Sequence, residues 1–168
     1  MKENSRKNWL VAAAFVGKDP KRVSDLMELF FSKDNREIQV CSQVVSEVSD
    51  AYPELILPYL PKMILHLKTN PIDAFKRITI RFCQSVTIPE EVEGELFEHG
   101  IAFLKSAEAP IAVKAYAITA LSRLCEKYPE LAAELIPHIE LLLEEKPTPA
   151  VANRGEKELK KLRRLIKG

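Results

Sequence analysis

Apolar residues recur along this chain every three to four positions rather than at every second one. The segment 34–50 illustrates the spacing, with its apolar positions at Ile38, Cys41, Val45 and Val48. This is the 3.6-residue period of an α-helix, and no stretch alternates long enough to form a strand. Only five glycines occur in 168 residues, which suits helix interiors, where glycine costs about 1 kcal/mol relative to alanine. The pattern therefore predicts an all-α protein.

Prolines divide this pattern into segments, because proline is tolerated in the first turn of a helix and disrupts a helix interior. Two series with a common spacing of about 38 residues interleave: Pro20, Pro53, Pro89 and Pro129, and Pro71, Pro110 and Pro149. They predict nine helices, at about 4–17, 19–32, 34–50, 53–69, 71–87, 89–106, 109–127, 129–145 and 149–167. Pro61 and Pro137 each fall eight residues inside their segments, so we expect a bend or a short turn at both.

The chain also contains an internal repeat. The tetrapeptide Tyr-Pro-Glu-Leu at 52–55 returns unchanged at 128–131, and a degenerate copy lies at 89–92. The offset of 76 residues between the two clear copies corresponds to two units of about 38 residues. A period in this range is typical of stacked helical units.

The motif Y-P-E-L-x4-L-P-x5-L, complete over 52–67 and weaker over 128–143, resembles the second helix of a HEAT repeat. The stretches 110–114 and 149–154 are similar to the opening of the first helix, where the family often has proline, a branched apolar residue and then a basic one. After Pro71 this opening departs from the pattern. The resemblance covers essentially the whole chain, and its motifs carry no catalytic residue.

The resemblance implies a right-handed α-solenoid, or α-α superhelix, of about four to four and a half helical hairpins. We expect a single domain over residues 1–168, because we find no linker or break in composition. Its approximate units are 4–32, 34–69, 71–106 and 109–145, followed by a capping helix at 149–167.

Charge is nearly balanced overall, at +1, but it is distributed unevenly. Residues 89–145 carry twelve acidic and four basic residues, whereas residues 147–168 carry two acidic and seven basic ones. The segment 89–106 offers Glu90, Glu91, Glu93, Glu95 and Glu98, and the segment 129–145 offers Glu130, Glu134, Glu140, Glu144 and Glu145.

In the family, the second helix of each unit lines a concave surface. The resemblance therefore implies a concave, partly acidic groove that binds a protein or a basic peptide segment. We expect its contacts to come from an acidic ridge formed by Glu91, Glu95, Glu98, Glu134 and His138.

The basic C-terminal segment supports an alternative function, association with nucleic acid, as in the DNA alkylation-repair glycosylases built from similar helical repeats. Its phosphate-binding residues would be Arg154, Lys157, Lys160, Lys161, Arg163 and Arg164, with additional contacts from Lys76, Arg77 and Arg81. The same segment also fits a polar cap on the last repeat, with Leu159, Leu162 and Ile166 on its inner face. Protein binding is favoured, because acidic second helices repel a phosphate backbone.

One spacing could carry chemistry. Glu95 and His99, and likewise Glu134 and His138, lie four residues apart and so share a helix face, with ligand types that suit zinc. We favour ordinary surface contacts, because neither helix has a dense ligand motif, and we expect no metal and no cofactor. Since the chain has no glycine-rich phosphate loop, G-x-S-x-G or H-E-x-x-H motif, we predict that it is not an enzyme.

The remaining signals concern location. Three cysteines without a C-x-x-C spacing favour buried thiols in a reducing compartment. Lys2, Arg6 and Lys7 precede an apolar run at 9–16 that mimics a signal peptide, but the run leads directly into the next helix, so we interpret it as the core face of the first helix. No run reaches the ~20 apolar residues that a membrane span requires. We expect a cytoplasmic monomer with no membrane partner.

Overall fold

The computed structural model describes residues 5–167. Residues 1–4 and 168 lie outside that range, and with them Lys2 and the expected helix start at residue 4. All regular structure in the described range is helical. The α-helices are α1 (Arg6–Val16), α2 (Pro20–Phe30), α3 (Asn35–Ala51), α4 (Pro53–Ile56), α5 (Leu60–His66), α6 (Asp73–Cys83), α7 (Glu93–Lys105), α8 (Ile111–Lys127), α9 (Ala132–Glu144) and α10 (Pro149–Lys167).

Three short 3-10 turns, Leu57–Tyr59, Glu90–Val92 and Pro129–Leu131, complete the regular structure of the described residues. The nine predicted helical segments are confirmed, with the fourth divided into α4, a 3-10 turn and α5. Side-chain caps explain two of the helix starts. A carboxylate oxygen of Asp19 accepts a hydrogen bond from the backbone N–H of Lys21 at 2.9 Å, and Asp34 caps α3 in the same way through Arg36 at 2.7 Å.

The two prolines inside predicted segments have different outcomes. Pro61 is the second residue of α5, directly after the 3-10 turn Leu57–Tyr59, so the expected short turn is confirmed there. Pro137 lies inside α9, and the corresponding 3-10 turn precedes that helix at Pro129–Leu131. No short turn directly precedes Pro137, and the other expected outcome at this position, a bend within α9, stays a prediction.

The chain divides into two compact units, Met1–Phe82 and Cys83–Gly168. In the first unit α3 packs against α1, α2 and α4, and the rings of Phe30 and Phe75 stack with their centroids 4.6 Å apart in the core. The single domain expected over residues 1–168 remains a prediction.

In the second unit α8 is the central helix and packs against α7, α9 and α10, while α7 and α9 also contact each other. This contact places the two acidic segments side by side. Helices α7 and α8 approach closely at Gly100, where an added Cβ atom would lie 2.7 Å from both Cδ atoms of Leu121. Only glycine leaves room for Leu121 at this crossing.

Both terminal helices depart from the sequence interpretation. In the apolar run of α1 only Val16 is buried, whereas Leu10, Val11 and Phe15 are 45, 63 and 64 % exposed. The interpretation of the whole run as core is therefore wrong, because α1 packs against α2 and α3 through its other face. In α10, Leu159 and Leu162 are buried as predicted, but Ile166 in the last turn is 53 % exposed.

Candidate functional site

A cleft of about 590 Å³ opens on the second unit. Helices α7, α8 and α9 and the turns before α7 and α9 contribute its walls. The apolar and aromatic lining consists of Gly94, Phe97, Ile101, Leu124, Tyr128 and Leu131, and the acidic lining consists of Glu90, Glu93, Glu98 and Glu134. The lining includes four carboxylates and no lysine or arginine, so the cleft combines an apolar surface with negative charge.

Two of these carboxylates have an internal counter-ion. Glu93 is buried and accepts hydrogen bonds from Nζ of Lys127 at 3.0 and 3.1 Å and from the hydroxyl of Tyr128 at 2.7 Å. Nζ of Lys127 also donates to Glu90 at 3.1 Å. Contact with Tyr128, Glu93 and Glu90 raises the pKa of Lys127, which therefore stays protonated. Since a buried carboxylate is stable only when it is paired and hydrogen-bonded, this network fixes Glu93 in place.

The other two carboxylates, Glu98 on α7 and Glu134 on α9, are exposed at the cleft. Neither forms an ion pair with another residue in the range 5–167. The charges of Glu98 and Glu134 therefore remain available to a ligand. The charge of Glu93 does not, although the sequence analysis grouped Glu93 with the other acidic residues of its segment.

The structure divides the five residues of the predicted acidic ridge. Glu98 and Glu134 line the cleft, but Glu91, Glu95 and His138 do not. Glu91 is exposed in the turn before α7, while Glu95 and His138 are half-buried. The apolar lining and Tyr128 were not predicted from the sequence, although the repeated Tyr-Pro-Glu-Leu motif marked Tyr128 as a recurring position.

The two glutamate–histidine pairs also differ. Nε2 of His99 lies 3.5 Å from Oε2 of Glu95, while no such contact joins Glu134 and His138 in the described chain. Within residues 5–167 no three side chains of histidine, cysteine, aspartate or glutamate gather in a group that could hold a metal ion.

Three of the six predicted phosphate-binding residues of α10 form contacts within the second unit. Nη1 of Arg154 donates to the side chains of Gln84 and Thr119, and its guanidinium lies over the ring of Tyr116, 5.2 Å from the centroid. Arg163 forms an ion pair with Glu140 at 2.7 Å, and Lys161 forms one with Glu158 at 3.0 Å. Lys157, Lys160 and Arg164 are exposed. Arg154 packs inward, so the six residues do not form one continuous phosphate-binding surface.

The three cysteines, Cys41, Cys83 and Cys125, are buried and none forms a disulfide. Burial raises the pKa of each thiol to about 12. Because the thiolate is the reactive form of cysteine, these are inert thiols, and the prediction of buried small hydrophobic residues is confirmed. Across residues 5–167, no helix is both long and apolar enough to traverse a bilayer.

The fold and the repeated motif define a helical-repeat protein. A family model described as a HEAT repeat domain matches residues 3–162, and the chain therefore belongs to the HEAT repeat family. The expected fold class, all-α with HEAT-like helical units, is confirmed. HEAT repeats generally mediate protein–protein interaction, and proteins of this kind are typically non-enzymatic scaffolds. No curated protein and no solved structure matches this chain significantly.

Proposed function

We propose that this protein is a non-enzymatic protein–protein interaction module that binds a basic peptide segment in the cleft of its second unit. The observation that carries the proposal is the pair of exposed carboxylates, Glu98 and Glu134, beside the apolar lining of the cleft. Lys127 partly neutralises Glu90 and Glu93, so negative charge remains across the cleft.

The chemistry of the lining defines the ligand. Phe97, Ile101, Leu124 and Leu131 offer an apolar surface to aliphatic side chains. The carboxylates suit the ammonium or guanidinium groups of lysine and arginine, whose methylene stems also pack on apolar surfaces. A segment that mixes basic and apolar residues satisfies both requirements, whereas an acidic segment or a nucleic-acid backbone is repelled.

The ridge residues outside the cleft, Glu91, Glu95 and His138, extend the proposal. Glu91 and Glu95 belong to the same helical segment as Glu98, so their negative charge contributes to steering a basic partner toward the cleft. His138 carries no negative charge, and we include it as a hydrogen-bonding contact on α9. A monomer in the cytoplasm is also part of the proposal, and the three buried thiols support a reducing compartment.

Binding of a defined probe tests this function. A fluorescent peptide that mixes arginine and leucine should bind the wild-type protein, and the affinity should fall with rising salt because exposed charges are screened. The double variant Glu98→Lys, Glu134→Lys should bind the peptide with an affinity lower by about tenfold or more. Each charge reversal replaces an attraction with a repulsion of up to about 1 kcal/mol.

The matched control is the double variant Glu144→Lys, Glu145→Lys. It makes the same change of net charge at exposed positions at the end of α9, outside the cleft lining. Equal losses in the two double variants would show a response to net charge alone, and an unchanged affinity after reversal of Glu98 and Glu134 would exclude the cleft.

A further inference from the structure

Helix α1 carries a cluster of exposed apolar side chains. Eight large apolar residues in the described chain are at least 45 % exposed, and three of them, Leu10, Val11 and Phe15, lie within six residues of α1. The other five are distributed one to a helix: Leu29, Leu65, Ile111, Leu141 and Ile166. Scattered single residues are normal at protein surfaces, whereas a contiguous patch marks an interaction surface.

The cluster forms one side of the helix. Leu10 and Ala14, and likewise Val11 and Phe15, are four residues apart and therefore share a face, and all four are exposed. The opposite face of α1 packs against α2 and α3, where Val16 is buried. The exposed face, which we call the α1 patch, consists of Leu10, Val11, Ala14 and Phe15.

Basic residues lie at both ends of the α1 patch. Arg6 and Lys7 begin the helix, and Lys18, Lys21 and Arg22 follow it. The only acidic residue from 5 to 22 is Asp19, so these residues carry a net charge of +4. Asp19 caps α2, and its carboxylate lies 3.5 Å from Nε of Arg22, so the one acidic residue of this segment is already paired.

One of these cations directly contacts the patch. The guanidinium of Arg22 lies over the ring of Phe15, 4.2 Å from the centroid, and its Nη1 donates to the backbone oxygen of Phe15 at 2.6 Å. This contact places a positive charge beside the most exposed aromatic residue of the helix.

We propose that the α1 patch binds an anionic lipid surface, with α1 lying in the plane of the membrane interface. Interfacial helices combine apolar side chains on one face with lysine and arginine at the level of the headgroups, and the α1 patch has both features. Lys7 and Lys18, near the two ends of α1, would reach lipid phosphates while Leu10, Val11 and Phe15 enter the acyl boundary. This attachment needs no membrane-spanning helix, so it agrees with the finding that no helix in residues 5–167 could cross a bilayer, but it departs from the expectation from sequence that the protein has no membrane partner.

Charge argues against a second copy of the chain as the occupant of the patch. A twofold-symmetric dimer through α1 would place the same surface on both sides, and two copies of the segment 5–22, each with a net charge of +4, would face one another. Like charges across an interface cost several kcal/mol, whereas an anionic leaflet attracts each nearby lysine or arginine.

Co-sedimentation with lipid vesicles tests the proposal. The wild-type protein should bind vesicles of phosphatidylcholine with about one third phosphatidylserine, should bind phosphatidylcholine alone much more weakly, and should be released by salt. The variant Leu10→Ser, Phe15→Ser should lose at least about tenfold in vesicle affinity while keeping its helical circular dichroism spectrum, because both positions are exposed.

The matched control is Leu65→Ser, Leu141→Ser, which removes two side chains that are 51 and 54 % exposed on other helices and should bind vesicles as the wild type does. Failure of the wild type to bind anionic vesicles overturns the proposal, as does an equal loss in both variants. Self-association of the wild type that the Leu10→Ser, Phe15→Ser variant abolishes would assign the patch to a second copy instead. The cleft variant Glu98→Lys, Glu134→Lys should bind vesicles at least as well as the wild type, so this result is independent of the peptide-binding proposal.

Discussion

Two glycines on α7 should respond in opposite directions to the same substitution. At Gly100 a Cβ atom would lie 2.7 Å from both Cδ atoms and 2.8 Å from Cγ of Leu121, where carbon atoms normally approach to about 3.5–4.0 Å. Leu121 is 0 % exposed and cannot move into solvent. At Gly94 an added Cβ atom has no neighbour within 4 Å.

The magnitudes follow from two opposing effects. Alanine gains about 1 kcal/mol over glycine within a helix, and somewhat less in the first turn, where Gly94 lies. Overpacking of a buried site costs about 1–3 kcal/mol. We therefore expect Gly100→Ala to lower the free energy of unfolding by up to about 2 kcal/mol and Gly94→Ala to raise it by about 0.5–1 kcal/mol.

Urea denaturation followed by far-ultraviolet circular dichroism measures both changes. A double-mutant cycle with Leu121→Ala adds a second check, because truncation of Leu121 removes the clash and should make Gly100→Ala less costly or stabilising. If Gly100→Ala stabilises the protein as much as Gly94→Ala does, the close approach of α7 and α8 is refuted.

Three further predictions concern buried polar groups. A thiol reagent at about pH 8 should leave all three cysteines unmodified in the native protein and modify all three in denaturant, because only the thiolate reacts. Burial raises the pKa of each thiol from about 9 to about 12 in the folded protein. The free energy of unfolding should therefore be unaffected by the thiols below about pH 9 and should fall as the pH rises toward 12, by about 1.4 kcal/mol per pH unit for each thiol. Urea titrations across this range measure the loss. Tyr128→Phe removes the hydroxyl that donates to buried Glu93 and should lower the free energy of unfolding by about 1.5–3 kcal/mol in the same assay, and a cost below about 0.5 kcal/mol would contradict the network.

Much of the fold could be predicted because helix periodicity and proline positions are local signals. A 3.6-residue spacing and a proline at a helix start report on their own segments, and tertiary contacts need not be known. The difference between Pro61 and Pro137 was beyond this reasoning. The matched proline follows a 3-10 turn in one copy and lies within a helix in the other. The residues between the motif positions differ, with Pro58 in the first copy and Glu134 in the second.

The candidate site was harder to predict from the sequence than the fold, because burial depends on contacts between distant segments. Glu93 and Glu98 are the same residue type on one helix, yet Glu93 is buried and Glu98 is exposed. What distinguishes them is the approach of Lys127 and Tyr128, which lie more than thirty residues later in the chain. Net charge identified the acidic region correctly but not which of its carboxylates remain available.

For α1 the sequence predicted burial where the structure shows exposure. Periodicity marks α1 as apolar over most of its surface, and it does not reveal which face the neighbouring helices cover. The contacts with α2 and α3 bury the side of Val16 and leave Phe15 exposed. A run that resembles core in the sequence thus presents half of its apolar residues to the surroundings.

The most direct test of the account localises a bound peptide on the second unit. Methyl resonances of isoleucine and leucine are recorded by nuclear magnetic resonance during titration with the arginine–leucine peptide. We expect the largest shifts at Ile101, Leu124 and Leu131 in the cleft, and we expect them to vanish in the Glu98→Lys, Glu134→Lys variant. Shifts centred on α10 or on the first unit, with the cleft methyl groups unchanged, would contradict it.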